Sequence, residues 1–202
     1  MTASPALCRA VLPDGAGELT VLARSRWPAR PPAALPAIPG FIISSFSPLA
    51  AELAERCLRQ HFGDPPADSE RGRRTAIVLA SMTGDIATAA AIASAVDHGR
   101  AVPPLLFYQS NPNAVAGHIA ARWGLAGPVV CTIPAGHGLA DAMDSATLLI
   151  EDSAADAALV VLADQGGPDG DSGVAMLVGP ARWLAQPGSH RGKPRPSGIS
   201  DE

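Results

Sequence analysis

Apolar residues fall into two kinds of run along this chain. In the first kind they return every three or four positions with polar residues between them, the spacing of a helix with one buried face. Leu49, Leu53, Cys57 and Phe62 follow it, with Glu52, Glu55, Arg56 and Arg59 turned to water. Ser47-Pro48 reads as the start of that helix, a capping hydroxyl followed by a proline whose missing N–H is harmless there. Gly63-Asp64-Pro65-Pro66 ends it. A second helix is expected from Thr83-Gly84-Asp85 to His98-Gly99, with Ile86, Ala90, Ala93 and Val96 inward and His98 meeting the helix dipole. A third carries Val115, Ala116, Ile119, Ala120 and Trp123, with Asn113 as its cap and Gly124 as its stop. A fourth carries Leu139, Ala142, Met143, Ala146 and Ile150.

The second kind of run is short, continuous and apolar. Residues 75–80, 129–133, 157–163 and 173–178 have this form and predict strands covered on both faces. Near the N-terminus, residues 8–12 and 19–23 flank the turn-rich Pro13-Asp14-Gly15-Ala16-Gly17 and predict a hairpin. Pro31, Pro32, Pro36 and Pro39 make residues 30–40 an extended linker. Between the last two strands, residues 164–171 are rich in Asp and Gly. They lack the alternating oxygen ligands and terminal glutamate of an EF-hand, so they read as a solvated hairpin loop rather than a calcium site. Helices alternating with buried strands predict an α/β domain with layers of helix, sheet and helix and a mostly parallel central sheet. The expected division is a hairpin and linker over 1–40, the α/β domain over 41–185 and a disordered tail over 186–202.

Composition narrows the function. The chain has 202 residues, of which 47% are hydrophobic, enough for one well-buried domain. A net charge of −4 provides no footprint for nucleic acid. Arg71, Arg73 and Arg74 form the one basic cluster, read as a solvated loop before a strand. Three separated cysteines suggest neither a disulfide framework nor a zinc site, and thus a reducing, cytoplasmic setting. There is no signal pattern or membrane-length apolar run, and no metal or other cofactor is expected.

Residues 110–142 organise the chain. After the third helix, Gly127-Pro128 turns into the strand 129–133, and Pro134-Ala135-Gly136-His137-Gly138 forms a tight elbow into the fourth helix. Asn113, Ala116-Gly117-His118, Gly124-Leu125 and Gly127-Pro128, followed by a strand, an elbow and a Gly-Leu-x-x-Ala helix, resemble the segment leading to the active-site cysteine of β-ketoacyl synthases. The resemblance extends over residues 75–178, mainly in the order of elements. It is greatest to the short ketosynthase-like N-terminal domain proteins found beside polyketide and aryl polyene pathways. It implies one half of a thiolase-like fold; the family's two catalytic histidines belong to the second half, and this chain is expected to end before that half could begin. It also implies that the strand before the nucleophile pairs with its counterpart across a dimer, placing Val129, Val130, Cys131, Thr132 and Ile133 at an interface.

The departures bear on chemistry. Aligned from Gly127-Pro128, the family's nucleophile falls on Gly136; aligned from Gly138-Leu139, it falls on Ala135. Neither side chain can attack a thioester. Cys131, in the strand, and His137, at the elbow without a neighbouring serine or cysteine, are the remaining candidates for catalysis. His118 reads as a structural histidine bonded to a nearby carbonyl. The expectation is a non-catalytic, chain-length-factor-like subunit that pairs with an active ketosynthase and shapes or stabilises its acyl site. The alternatives are an acyl-thioester enzyme using Cys131 or His137, and a homodimeric binding module. An acyl carrier protein is a further partner, with the basic cluster as its docking point.

Overall fold

Residues 19–28, 34–167 and 170–184 are described by the structure, a computed structural model. At its centre is β2 (Thr75–Ala80), buried at every position. Side chains alternate across a strand, so Ile77 and Leu79 enter one core while Ala76, Val78 and Ala80 enter a second on the opposite face. Its neighbour β4 (Ala157–Gly167) divides in the same way, Leu159, Val161 and Ala163 against Ala158 and Val160. That is why both segments are continuously apolar.

The sheet runs β1-β5-β4-β2-β3, with β1 at Leu19–Trp27, β3 at Val129–Thr132 and β5 at Gly170–Pro180. One face is covered by α1 (Phe46–Phe62) and α5 (Pro112–Trp123), the other by α6 (Leu139–Glu151). The helix–sheet–helix layering is as expected. The mostly parallel sheet is not. β2 pairs in parallel with β3 and β4, but β5 is antiparallel to both β4 and β1. Only two residues separate β4 from β5. A parallel return needs a crossover of a dozen or more residues, so this pair must be antiparallel, and β1 extends the antiparallel side.

The expected N-terminal hairpin needs residues 8–12, which lie outside the described residues, as does the tail from 186. β1 pairs with β5 on one edge, so residues 19–27 share a sheet with the strands of the 41–185 segment. The Asp/Gly-rich stretch is also more ordered than a solvated loop: Asp164, Gln165, Gly166 and Gly167 extend β4, and Gly170 and Asp171 begin β5.

Several helix starts move. α1 begins at Phe46 with Ser45 at its cap, and Ser47, 2% exposed, caps nothing. α5 begins at Pro112, and its cap is Asn111, whose side-chain oxygen accepts from the Asn113 N–H at 3.0 Å. Asp85 caps α3 (Ile86–Asp97) by accepting from the Thr88 N–H at 3.0 Å, and His98 closes it, its Nδ1 2.7 Å from the Ser94 carbonyl. α3 turns the other way from the expectation. Thr88 and Ala95 are buried, whereas Ile86, Ala90, Ala93 and Val96 are exposed. Its sequence offers small or apolar residues on nearly every side, so periodicity could not choose the face. Residues 104–110 form a short α4 (Pro104–Ser110). Among the described residues no helix is long and apolar enough to cross a membrane.

The family-like glycines are placed by packing. Gly124 adopts the left-handed conformation at the end of α5 (φ 66°). A Cβ on Gly127 would lie 2.5 Å from the Thr75 carbonyl oxygen, and one on Gly72 would lie 2.5 Å from that of Gly124. With these contacts go hydrogen bonds from the Ala126 N–H to the Gly72 carbonyl (3.0 Å) and from the Ile77 N–H to the Pro128 carbonyl (2.9 Å). The Gly-Leu-x-Gly-Pro run thus seats α5 and β3 on the segment that leads into β2.

Candidate functional site

β3 ends at Thr132, and the chain passes through Ile133 and the elbow into α6. Pro134 is buried, but Ala135, Gly136 and His137 are exposed. Gly136 has φ 134° and Gly138 has φ 53°, regions that favour residues without a Cβ. A Cβ on Gly136 would meet no atom within 4 Å. Of the two positions that the resemblance aligns with the family nucleophile, Ala135 is exposed and Gly136 opens to space, and neither has a reactive group.

The two weaker candidates are not joined by a hydrogen bond. Cys131 is half-buried in β3, opposite Leu79 of β2 and packed against the α1/α5 core. Burial pushes its thiol up from the ordinary range. That favours the neutral thiol over the nucleophilic thiolate. His137 uses its backbone N–H, which donates to Asp141 Oδ2 at 3.2 Å. Its exposed ring has no hydrogen-bond partner among the described residues. His118 likewise has no carbonyl partner among them and packs edge-on against Phe41, ring centres 6.0 Å apart.

β3 is the last strand of the sheet. One of its edges pairs with β2; the other meets no strand among the described residues. Its faces are also more open than the sequence suggests. Val129 and Ile133 are 42% and 76% exposed, and Val130, Cys131 and Thr132 are half-buried. Elsewhere on the surface, Ile42, Ile43, Phe107 and Tyr108 are exposed too.

Those side chains stand on a polar clamp that the sequence gives little sign of. Gln109 is 1% exposed. Its Oε1 accepts from the Ile42 N–H at 2.9 Å, and its Nε2 donates to the Ile42 carbonyl and to Thr88 Oγ1, each at 2.6 Å. A neighbouring amide, Gln165 Nε2, donates to Ser45 Oγ at 2.8 Å. Ile43 has φ 71°, a strained value for a β-branched residue, and the bonds to Ile42 help to fix it. Asp164 serves a second loop: one carboxylate oxygen accepts from Ser81 Oγ (2.8 Å) and from the Met82 N–H (2.7 Å), fixing the turn after β2. Such pairs join residues 21 to 120 positions apart, so no local pattern announces them.

The basic cluster is engaged within the fold. Arg71 and Arg73 lie in a short α2 (Ser69–Arg73) rather than a loop. Arg74 donates to Asp156 Oδ1 at 2.8 Å and to the Ser153 carbonyl at 2.9 Å. Arg73 Nε donates to the Ser69 carbonyl, and the Arg71 guanidinium lies 5.2 Å from the Trp183 ring centre. Among the described residues no group of three His, Cys, Asp or Glu side chains could hold a metal ion.

Known proteins place this arrangement. The sequence profile of the β-ketoacyl synthase N-terminal domain matches residues 27–171. No curated protein matches the chain in sequence. Solved structures of similar fold include a ketosynthase (ApeO) in complex with its chain length factor (ApeC) from Xenorhabdus doucetiae, at 21% identity and a TM-score of 0.58 over 75% of this chain and 65% of that one. The ishigamide ketosynthase/chain length factor gives 20% identity and a TM-score of 0.59 over 75% of this chain and 48% of that one. A β-ketoacyl synthase from Burkholderia phymatum gives 17% and 0.60 over 75% and 47%. The chain thus spans less than two thirds of the length of each. At these identities the likeness concerns fold alone, whereas the profile covers most of the sequence. This thiolase-like chain belongs to the β-ketoacyl synthase N-terminal domain family.

Proposed function

We propose that the chain is a catalytically silent ketosynthase-like subunit of a polyketide- or fatty-acid-type pathway, which pairs with an active ketosynthase and shapes or stabilises its acyl site. The observation that carries this reading is the elbow: the scaffold around it is kept, while Ala135 and Gly136 provide no atom to accept an acyl group. Cys131 is a poor substitute, because burial disfavours its thiolate. A sheet edge that meets no strand among the described residues and exposed apolar side chains both favour association. Two of the structures of similar fold contain a ketosynthase with a chain length factor. On this reading Val129, Val130, Cys131, Thr132 and Ile133 meet the partner strand, and an acyl carrier protein is served by the complex rather than by Arg71, Arg73 and Arg74, whose contacts lie within the chain.

The test is co-expression with the ketosynthase encoded nearest to it. The two chains should elute as one heterodimer, Ile133→Lys should separate them, and Gly136→Leu should shift the length of the acyl product. Separate elution of the wild-type chains, or a stable homodimer that ignores the ketosynthase, would overturn the reading. So would an acyl adduct on this chain that Cys131→Ala abolishes.

A further inference from the structure

The last described turn, Ala181–Trp183, packs against β1, and Trp183 is 7% exposed. His61, in the final turn of α1, stacks on the Trp183 ring at 6.2 Å with 14° between the planes. It also meets Phe62 edge-on at 4.7 Å. His61 Nε2 is buried and has no hydrogen-bond partner among the described residues. From α2, the Arg71 guanidinium approaches the same indole. A neutral imidazole suits this place, since it stacks and needs no counter-charge.

A protonated imidazole does not. It would carry a second N–H donor into a site where the described residues offer no acceptor at Nε2, and it would face the Arg71 cation. Cation–π attraction to Trp183 and the carboxylate of Asp68 act in the other direction. Asp68, however, already lies 3.7 Å from Arg71 Nε and accepts from the Arg71 N–H. Burial first, and Arg71 second, hold the imidazole below its ordinary range despite Asp68.

We propose that His61 is a proton-sensitive latch: when neutral it clamps Trp183 and the turn before the C-terminal segment onto α1 and α2, and when protonated it releases them. Because the imidazole is harder to protonate in the closed form, closure is complete above the ordinary histidine range and weakens as pH falls through the lowered value. Release would uncover the start of β1, at the sheet edge opposite β3. This proposal is independent of the proposed pairing with a ketosynthase.

Hydrogen exchange of the full chain, corrected for the intrinsic effect of pH, tests it. Between pH 8 and 5 the protection of residues 178–184 should hold and then fall by at most about tenfold per pH unit, while β2 keeps its protection. His61→Phe preserves the stacked ring without a titrating nitrogen and should remain protected throughout. If that variant does not fold, NMR titration of His61 in the wild type decides the matter: its midpoint should coincide with the loss of protection and lie below that of an exposed histidine. Constant protection in the wild type, an unchanged midpoint in His61→Phe, or a His61 titration at or above the ordinary value would overturn the proposal.

Discussion

Gly117 and Gly127 belong to the same family-like run, but their surroundings differ. At Gly127 a methyl group would collide with the Thr75 backbone, so Gly127→Ala should cost roughly 1–3 kcal/mol of stability, the usual effect of overpacking. Gly117 lies on the exposed side of α5 with nothing within 4 Å of a Cβ, and Gly117→Ala should stabilise the isolated chain by up to about 1 kcal/mol. Urea unfolding of the two variants should therefore give shifts of opposite sign. The cysteines make a chemical prediction at the same scale. Alkylation requires thiolate, and burial raises the Cys131 thiol and pushes Cys57 up to about 12. Peptide mapping after iodoacetamide treatment at pH 8 should find Cys131 slower than a free thiol and Cys57 slower still. A Cys131 that reacted faster would restore it as a nucleophile.

Among the elements, α1 and α5 are joined by one carboxylate. Glu55 accepts from Arg122 at 2.8 and 2.9 Å, from Trp123 Nε1 at 2.9 Å and from Arg59 one turn along its own helix at 2.8 Å. The Arg122 hydrogen bond is the main cause that holds the Glu55 carboxyl below its ordinary range, against an opposing effect of burial. A carboxyl lowered by folding contributes stability above its unfolded value and loses it as pH falls through the folded one. Glu55→Gln should thus cost about 1–2 kcal/mol near neutral pH, and urea midpoints of variant and wild type should converge in strong acid. The caps at this scale show how far local rules reach. The rule that Asn starts helices found the correct neighbourhood of α5 but chose Asn113 over Asn111. At α1 a proline after a serine drew the cap to Ser47, although the cap is Ser45, two residues earlier.

At the scale of the molecule, the sheet has a parallel side that carries the elbow and an antiparallel side that completes the core, with an outermost strand on each. The outer edge of β3 meets no strand among the described residues, whereas β1 has the final turn packed against it. If the proposed heterodimer forms, hydrogen exchange should slow in β3 on mixing with the ketosynthase and remain unchanged in β1. Protection of β1 alone would relocate the interface. The apolar residues of α3 that periodicity assigned to the core are solvent-exposed in the single chain, which shows why pattern alone does not separate a core from a contact surface. Both need apolar side chains at helical spacing.

Local chemistry in the sequence determined the helices α1, α3, α5 and α6, the short apolar strands, the glycine stop of α5 and the layered α/β class. Each depends on residues a few positions apart. Tertiary structure decided the mixed direction of the sheet, the outermost place of β3 and the outward face of α3, because these depend on which segments meet. It also decided the polar clamps of Gln109, Asp164 and Glu55. Each clamp has a partner about 70 or 80 residues away, and only the folded chain brings that donor and acceptor within a hydrogen bond.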